Sequence, residues 1–135
     1  RPAPSVQGHI QAAAAIGDIY YWGKGVAIDH PRAMEAYKVG AEGGDAHNQW
    51  MVGSMYLDGE GVAVDLEQAR LWIEKAAAQD QPDAVAQLAL MYWTNLGVTP
   101  SFRRARELYQ RAIELGNSTA VKNMQTLTQD IQNVS

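Results

Sequence analysis

The stretch MYLDGEGV, residues 55–62, places two glycines one residue apart immediately before a valine. Similar stretches occur twice more, as YYWGKGV at residues 20–26 and as MYWTNLGV at residues 91–98. Closely spaced glycines could form a loop that binds phosphate, or a turn that the fold needs several times. The recurrence favours the turn, because a phosphate loop has no reason to occur three times or to replace one glycine by asparagine.

The chain repeats itself with a period of 36 residues and no gap. The aligned positions include Tyr20, Tyr56 and Tyr92, then Gly25, Gly61 and Gly97, and then Ala33, Ala69 and Ala105. A fixed period of this length is typical of solenoids, in which each unit is one supersecondary motif. A fourth, partial copy begins at Ala120 and contains only a helical pattern, as expected for a helix that caps the array.

Each unit has the periodicity of two amphipathic helices. Apolar residues recur at helical spacing on both sides of the glycine loop, as at Val52, Met55 and Tyr56 before it. The second helices begin after residues that cap helix N-termini, and the first helices end before Gly or Asn, which tolerate the left-handed conformation. The predicted caps are Asp29, Asp65 and Ser101, and the predicted left-handed residues are Gly23, Gly59 and Asn95.

These patterns predict an all-α fold with one domain covering residues 1–135. We expect three helix-turn-helix repeats at about 9–44, 45–80 and 81–116, followed by a capping helix at about 118–133. The first-helix residues predicted to enter the core are Ile16, Ile19, Tyr20, Val52, Met55, Tyr56, Leu88, Met91 and Tyr92. Small residues at Gly17, Gly53 and Ala89 would let two helices approach closely.

The repeat resembles the Sel1-like repeat family, which is related to the tetratricopeptide repeats. The second copy, VGSMYLDGEGVAVD followed by ARLWIEKAA, carries the resemblance best, and the third departs from it at Ala89, Asn95 and Ser101. The resemblance covers residues 8–135 and implies a right-handed α-α superhelix. It also implies a scaffold or adaptor that brings proteins together, without catalytic activity.

A solenoid commonly binds its partner on the concave face, which tetratricopeptide-type arrays line with first helices. The first-helix residues left over by the core include three of the four tryptophans, interleaved with acids. Aromatic anchors surrounded by polar groups are typical of interaction hot spots. The predicted partner-binding residues are Asp18, Tyr21, Trp22, His47, Trp50, Ser54, Leu57, Asp58, Asp83, Leu90 and Trp93. Trp72 lies on a second helix and is interpreted as a packing residue.

The expected occupant of this groove is a peptide or helix of another protein, with an apolar anchor and basic residues. The alternative is a small-ligand module that stacks a glycan or peptidoglycan fragment on the same rings. If the first repeat exposes an apolar edge, the chain could also form a homodimer through it. Because the sequence begins at Arg1, we expect it to be part of a longer protein, and it carries no signal that predicts a compartment.

Other function classes lack support in the sequence. The net charge of −4 argues against nucleic-acid binding, and no apolar run approaches the roughly 20 residues of a membrane span. His9, His30 and His47 are far apart, and cysteine is absent, so we predict no metal site. No nucleophile motif occurs, and we predict no catalytic residue and no cofactor.

Overall fold

A computed structural model describes the backbone of residues 4–134 and the side chains of residues 9–133. Within that part of the chain there are seven α-helices and no strand. The helices are α1 (Pro4–Trp22), α2 (His30–Glu42), α3 (Ala46–Asp58), α4 (Leu66–Ala78), α5 (Pro82–Thr94), α6 (Phe102–Glu114) and α7 (Thr119–Val134). The all-α repeat prediction is therefore confirmed.

The helices form two compact units, the first ending at Trp72 and the second beginning at Ile73, inside α4. In the first unit α1 packs against α2, and α2 packs against α3. In the second unit α5 packs against α6, and α6 packs against α7. Sequential helices therefore pair with their neighbours, as expected of helix-turn-helix repeats.

The three predicted N-caps are confirmed. The side-chain oxygens of Asp29, Asp65 and Ser101 each accept a hydrogen bond from the backbone N–H three residues later, at 3.0–3.1 Å. Each cap satisfies one of the backbone donors that a helix leaves unpaired at its start. The aspartate or serine at this position thus fixes where the second helix of each repeat begins.

The predicted left-handed helix ends are also confirmed. Gly23, Gly59 and Asn95 have φ values of 70°, 71° and 60°. The backbone N–H groups of Gly59 and Asn95 donate to the carbonyl oxygens of Met55 and Met91. Gly and Asn are the residues that tolerate this conformation best, which explains why the third repeat exchanges one for the other.

The core of the first unit lies between α2 and α3. Its buried residues are Ala33, Met34, Tyr37, Ala41, Met51, Val52 and Met55. Trp72 packs against this cluster as a partly buried side chain, in agreement with its predicted packing role. In the second unit the buried residues include Leu88 and Met91 of α5, Leu108 and Tyr109 of α6, and Leu127 of α7.

The predicted core position of Ile16 and Ile19 is wrong. Their side chains are 45% and 36% exposed, whereas the equivalent Val52 and Met55 are fully buried. Val52 and Met55 are covered by α2, the second helix of the preceding repeat. Among the described residues no such helix precedes α1, so the same stripe of α1 faces solvent.

Gly17 allows a close contact between α1 and α2. A methyl group at this position would lie 2.5 Å from Cε1 of Tyr37, well inside van der Waals contact. The absence of a side chain therefore lets the buried ring of Tyr37 rest on the backbone of α1. This confirms the predicted role of the small residue at this position of the first repeat.

Gly25 and Gly61 offer a matched test of the repeated turn. Both have a φ of 77°, but a Cβ at Gly61 would lie 2.5 Å from the carbonyl carbon of His30, and one at Gly25 would meet nothing within 4 Å. We expect Gly25→Ala to cost about 1 kcal/mol for the left-handed conformation alone. Gly61→Ala should cost roughly 1–3 kcal/mol more, because backbone atoms must also move.

Urea unfolding followed by circular dichroism at 222 nm measures both variants. Equal midpoints for the two variants would contradict the steric role of Gly61.

Candidate functional site

An exposed aromatic side chain lies beside acidic groups in the first unit. Trp22, the last residue of α1, is 62% exposed, and its ring meets that of Tyr21 edge-on at a centroid distance of 4.8 Å. The Tyr21 ring also stacks with His30 at 4.8 Å. We refer to Tyr21, Trp22, His30, Asp58 and Glu60 as the Tyr21 cluster.

Two tyrosine hydroxyls hold carboxylates in place around this cluster. Tyr21 donates to Oε1 of Glu60 at 2.9 Å, and Tyr37 donates to Oδ1 of Asp18 at 2.5 Å. The Tyr21 and Tyr37 rings are 6.4 Å apart in an edge-on arrangement, so the two hydrogen bonds are neighbours. Because a hydrogen bond to an ionised carboxylate is stronger than one between neutral groups, both acids are fixed relative to the rings.

The electrostatics of the cluster are those of uncompensated negative charge. Burial raises the pKa of Tyr21 to about 12, and the hydrogen bond and charge of Glu60 and the charge of Asp58 add to the effect. Partial burial of its carboxyl group raises the pKa of Asp58, and the charge of Glu60 raises it further. Asp58 ends α3 and Glu60 follows it by two residues, so both carboxylates belong to the turn that contacts Tyr21.

The remaining predicted residues of the first unit lie on α3. His47 is exposed, and its ring is 5.7 Å from that of Trp50. Trp50 is half-buried against the core, and its Nε1 is buried without a hydrogen-bond partner among the described residues. Ser54 and Leu57 are half-buried, and the Ser54 hydroxyl is likewise buried and unpaired in the described part of the chain. Trp50, Ser54 and Leu57 therefore contribute packing more than exposed surface.

The predicted residues of the second unit are also partly occupied by structural contacts. Asp83 is exposed and accepts a hydrogen bond from Nδ2 of Asn117 at 3.0 Å. Trp93 is half-buried and meets the buried Tyr109 edge-on at 6.3 Å. Leu90 is half-buried. Burial raises the pKa of Tyr109 to about 12, and an interaction with Asn123 opposes that effect.

Sequence reasoning missed three residues that form or support the Tyr21 cluster: Glu60, His30 and the buried Tyr37. Glu60 lies between the two glycines of the repeated turn, which was interpreted as structural only. His30 was considered only as a possible metal ligand, although its ring stacks on Tyr21. Tyr37 is a core residue whose hydroxyl donates to Asp18. The third repeat also has a tyrosine at this position, and that recurrence did not indicate that Tyr37 has a carboxylate partner.

The arrangement provides binding groups more than reactive ones. Among the described residues, no group of three or more His, Cys, Asp and Glu side chains could hold a metal ion. The Tyr21 hydroxyl, whose pKa burial and Glu60 raise to about 12, stays protonated and donates a hydrogen bond to Glu60. None of the helices in the described part of the chain combines the length and apolar character needed to cross a bilayer.

A groove of the second unit, with a volume of about 550 Å³, lies among α4, α5 and α6. Its charged side chains include Arg104 and Glu107, which pair with each other at 3.6 Å, and Arg111, which pairs with Asp80. Positive charge in this groove is thus already balanced by neighbouring carboxylates. The Tyr21 cluster remains the more distinctive candidate site.

Comparison with known families identifies the repeat. Three stretches, residues 10–45, 49–81 and 82–117, match the model of the Sel1 repeat. No curated protein matches the chain.

Solved structures provide further matches. The chain is 33% identical to a Sel1 repeat protein from Oxalobacter formigenes, with a TM-score of 0.83 over 90% of this chain and 50% of that one. It is 34% identical to c5321, described as a protective antigen of uropathogenic Escherichia coli with an SLR fold, with a TM-score of 0.80 over 84% of this chain and 24% of that one. The chain thus spans half of the first structure and about a quarter of the second.

Helicobacter pylori cysteine rich protein B is a more distant match. It is 18% identical, with a TM-score of 0.70 over 87% of this chain and 90% of that one. At this identity the likeness shows the fold alone.

The ionisation of Tyr21 tests the geometry of the cluster. With a pKa near 12 in the folded protein, Tyr21 should remain protonated at about pH 10.5, where an unperturbed tyrosine is mostly ionised. The stability that this shift contributes is complete below about pH 10 and is lost as the pH rises towards 12. Glu60→Gln should lower the pKa of Tyr21 but leave it above 10, because burial is the largest cause of the shift.

The ¹³Cζ chemical shift of Tyr21, followed by NMR, measures its ionisation directly, and Tyr21→Phe assigns the signal. An unchanged pKa in Glu60→Gln would show that the negative charge of Glu60 does not act on the Tyr21 hydroxyl.

Proposed function

Because the chain belongs to the Sel1 repeat family, we propose that it is an interaction scaffold that binds a segment of another protein through the aromatic residues of its first helices. Sel1 repeat proteins generally act by binding other proteins, and the family consists of non-catalytic repeat scaffolds. The proposal also specifies the binding surface and the kind of molecule that occupies it. The surface is the face predicted to be concave, and the occupant is an extended peptide or a helix.

The observation that carries the proposal is the exposure of Trp22 next to fixed acids. A tryptophan that is 62% exposed offers a large apolar area to a partner at little cost in side-chain entropy. Trp50 and Trp93 are half-buried, so they support the surface and offer a partner less exposed area than Trp22 does. An apolar anchor on Trp22 and basic residues near Asp58 and Glu60 would complement both features of the Tyr21 cluster.

Removal of Trp22 is the direct test. Peptides selected by phage display against the wild-type chain should bind Trp22→Ala at least about 30-fold more weakly, as expected for a hot-spot residue worth about 2 kcal/mol. Thermal unfolding should change little, because most of the Trp22 side chain is already in solvent. Phe102→Ala, which removes another exposed aromatic residue from α6, is the matched control and should bind as the wild type does.

Fluorescence anisotropy with labelled peptides gives the affinities. If the selected peptides bound a folded Trp22→Ala variant with unchanged affinity, this surface would not be the binding site. Parallel screening on a glycan array tests the alternative. Glycan binding without peptide selection would favour a carbohydrate that stacks on the same ring.

The exposed edge of the first repeat suggests that two copies of the chain associate. Ile16, Ile19 and Val39 are 45%, 36% and 52% exposed and lie along α1 and α2. Val39 is aligned with Lys75 and Arg111 of the later repeats, so an apolar residue replaces a cation at an exposed position. Ile16 and Val39 border two grooves of about 530 and 210 Å³ in this edge.

The charges beside this edge favour a second copy as the occupant. Arg32 and Glu35 both border the larger groove, and they carry opposite charges. In a two-fold symmetric interface the same patch meets itself, so Arg32 of one copy can face Glu35 of the other. We therefore propose a symmetric homodimer through the edge formed by α1 and α2.

Val39→Lys restores the cation found in the other repeats and tests this dimer. We expect the wild-type chain to dimerise at high concentration and the variant to remain monomeric, because the lysine would bring a charge into the apolar part of the interface. Static light scattering during size-exclusion chromatography measures the mass. A wild-type chain that is monomeric at about 1 mM, a concentration at which even weak association is seen, would rule the dimer out.

A further inference from the structure

We propose that the Tyr21 cluster binds an arginine side chain of the partner, with the guanidinium over Trp22 and its N–H groups directed at Asp58 and Glu60. This inference rests on the proposed function, since it names the chemistry that the partner presents at the same surface. Arginine is the side chain that combines both kinds of contact. Its planar guanidinium stacks on aromatic rings and donates hydrogen bonds to carboxylates in a fixed fork.

The aromatic half of the site is accessible. Trp22 closes α1 and is 62% exposed, while Tyr21 is half-buried and held between Trp22 and His30. Tyr21 therefore acts as the support, and Trp22 presents the ring that a cation can reach. Attraction between a cation and a tryptophan ring is worth about 0.5–1 kcal/mol at exposed sites and more when water is excluded.

The acidic half of the site is preorganised and unneutralised. Glu60 accepts a hydrogen bond from Tyr21 through Oε1, which fixes the carboxylate and leaves further acceptor positions open. Asp58 is the last residue of α3 and precedes Glu60 by two positions, so both carboxylates belong to the same turn, and the charge of Glu60 adds to the burial that raises the pKa of Asp58. Neither forms an ion pair with any residue that the structure describes, whereas Asp29, Asp80 and Glu107 all pair with arginines of the chain.

The basic residues nearest to Trp22 in sequence do not neutralise Asp58 and Glu60. His30 stacks on Tyr21 and forms no ion pair among the described residues. Lys24, in the loop after α1, is exposed and forms no ion pair within the described part of the chain. A cation from outside the chain would thus relieve the repulsion between Asp58 and Glu60.

The repeat alignment shows that the fold does not require these acids. Asp58 is aligned with Trp22 and Thr94, and Glu60 is aligned with Lys24 and Leu96. The same turn therefore accepts an aromatic, a hydroxyl, a cation or an apolar side chain in the other repeats. Two carboxylates occur only where the second repeat brings them beside the Tyr21 ring, which favours a role in binding over a role in folding.

The experiment uses the full chain and a pair of ten-residue peptides. Each peptide contains one leucine within glycine and serine, and one member carries arginine where the other carries citrulline, which has the same shape without the charge. Titrations are followed by the NMR shift of the Trp22 indole N–H. The arginine peptide should bind at least fivefold more tightly than the citrulline peptide.

A double variant, Asp58→Asn with Glu60→Gln, should remove this preference. The glutamine side-chain oxygen can still accept the hydrogen bond from Tyr21, so the fold should be kept. Glu42→Gln with Glu67→Gln makes the same change in net charge at exposed sites on other helices and should keep the preference.

Equal affinity for the two peptides, or no shift of the indole signal from either up to about 5 mM, would overturn the arginine site. A preference that survives in the double variant, or that the control pair also loses, would overturn it as well. None of these results tests the broader scaffold function. That function is tested separately, by whether the peptides selected by phage display bind Trp22→Ala more weakly. The two proposals can therefore fail independently.

Discussion

The contact between Tyr37 and the backbone of α1 sets the geometry on which the first unit depends. A large aromatic ring is fully buried only because residue 17 carries no side chain, and the ring lies where a methyl group would stand. Burial of such a ring contributes about 2–3 kcal/mol, which is substantial against the marginal stability of a small protein. The same packing brings the Tyr37 hydroxyl to Asp18 and the Tyr37 ring to the edge of Tyr21. One contact therefore links the pairing of α1 and α2 to the placement of Asp18 and Tyr21.

Much of the fold was predictable from the sequence because its determinants are local. A helix start requires a side-chain acceptor for free backbone N–H groups, and the aspartates and serine that supply it are visible in every repeat. A left-handed helix end requires Gly or Asn, and Gly23, Gly59 and Asn95 satisfy that demand in register. The burial of Ile16 and Ile19 was mispredicted because periodicity identifies an apolar stripe but not the neighbour that covers it. In α3 that neighbour is α2, and among the described residues α1 has none.

The candidate site was less predictable, since it combines residues that are distant in sequence. Trp22 was identified as a first-helix residue outside the core, and it is the most exposed tryptophan among Trp22, Trp50 and Trp93. Glu60 was missed because its two flanking glycines have an adequate structural explanation. Its pairing with Tyr21 joins residues 39 positions apart and depends on how two successive turns approach each other. Tertiary packing fixes the distance between these turns, and no local pattern around Tyr21 or Glu60 predicts it.

The polar partner of the buried tyrosine differs from one repeat to another. Tyr37 donates to Asp18, but the residue aligned with Asp18 in the third repeat is Leu90, and the aligned Tyr109 has no carboxylate partner among the described residues. A first helix taken from the third repeat and placed in the first would thus leave Tyr37 with a leucine where it needs an acceptor. The repeats share a backbone plan without being interchangeable modules. Any attempt to lengthen, shorten or permute this array must move each first helix together with the second helix that it pairs with.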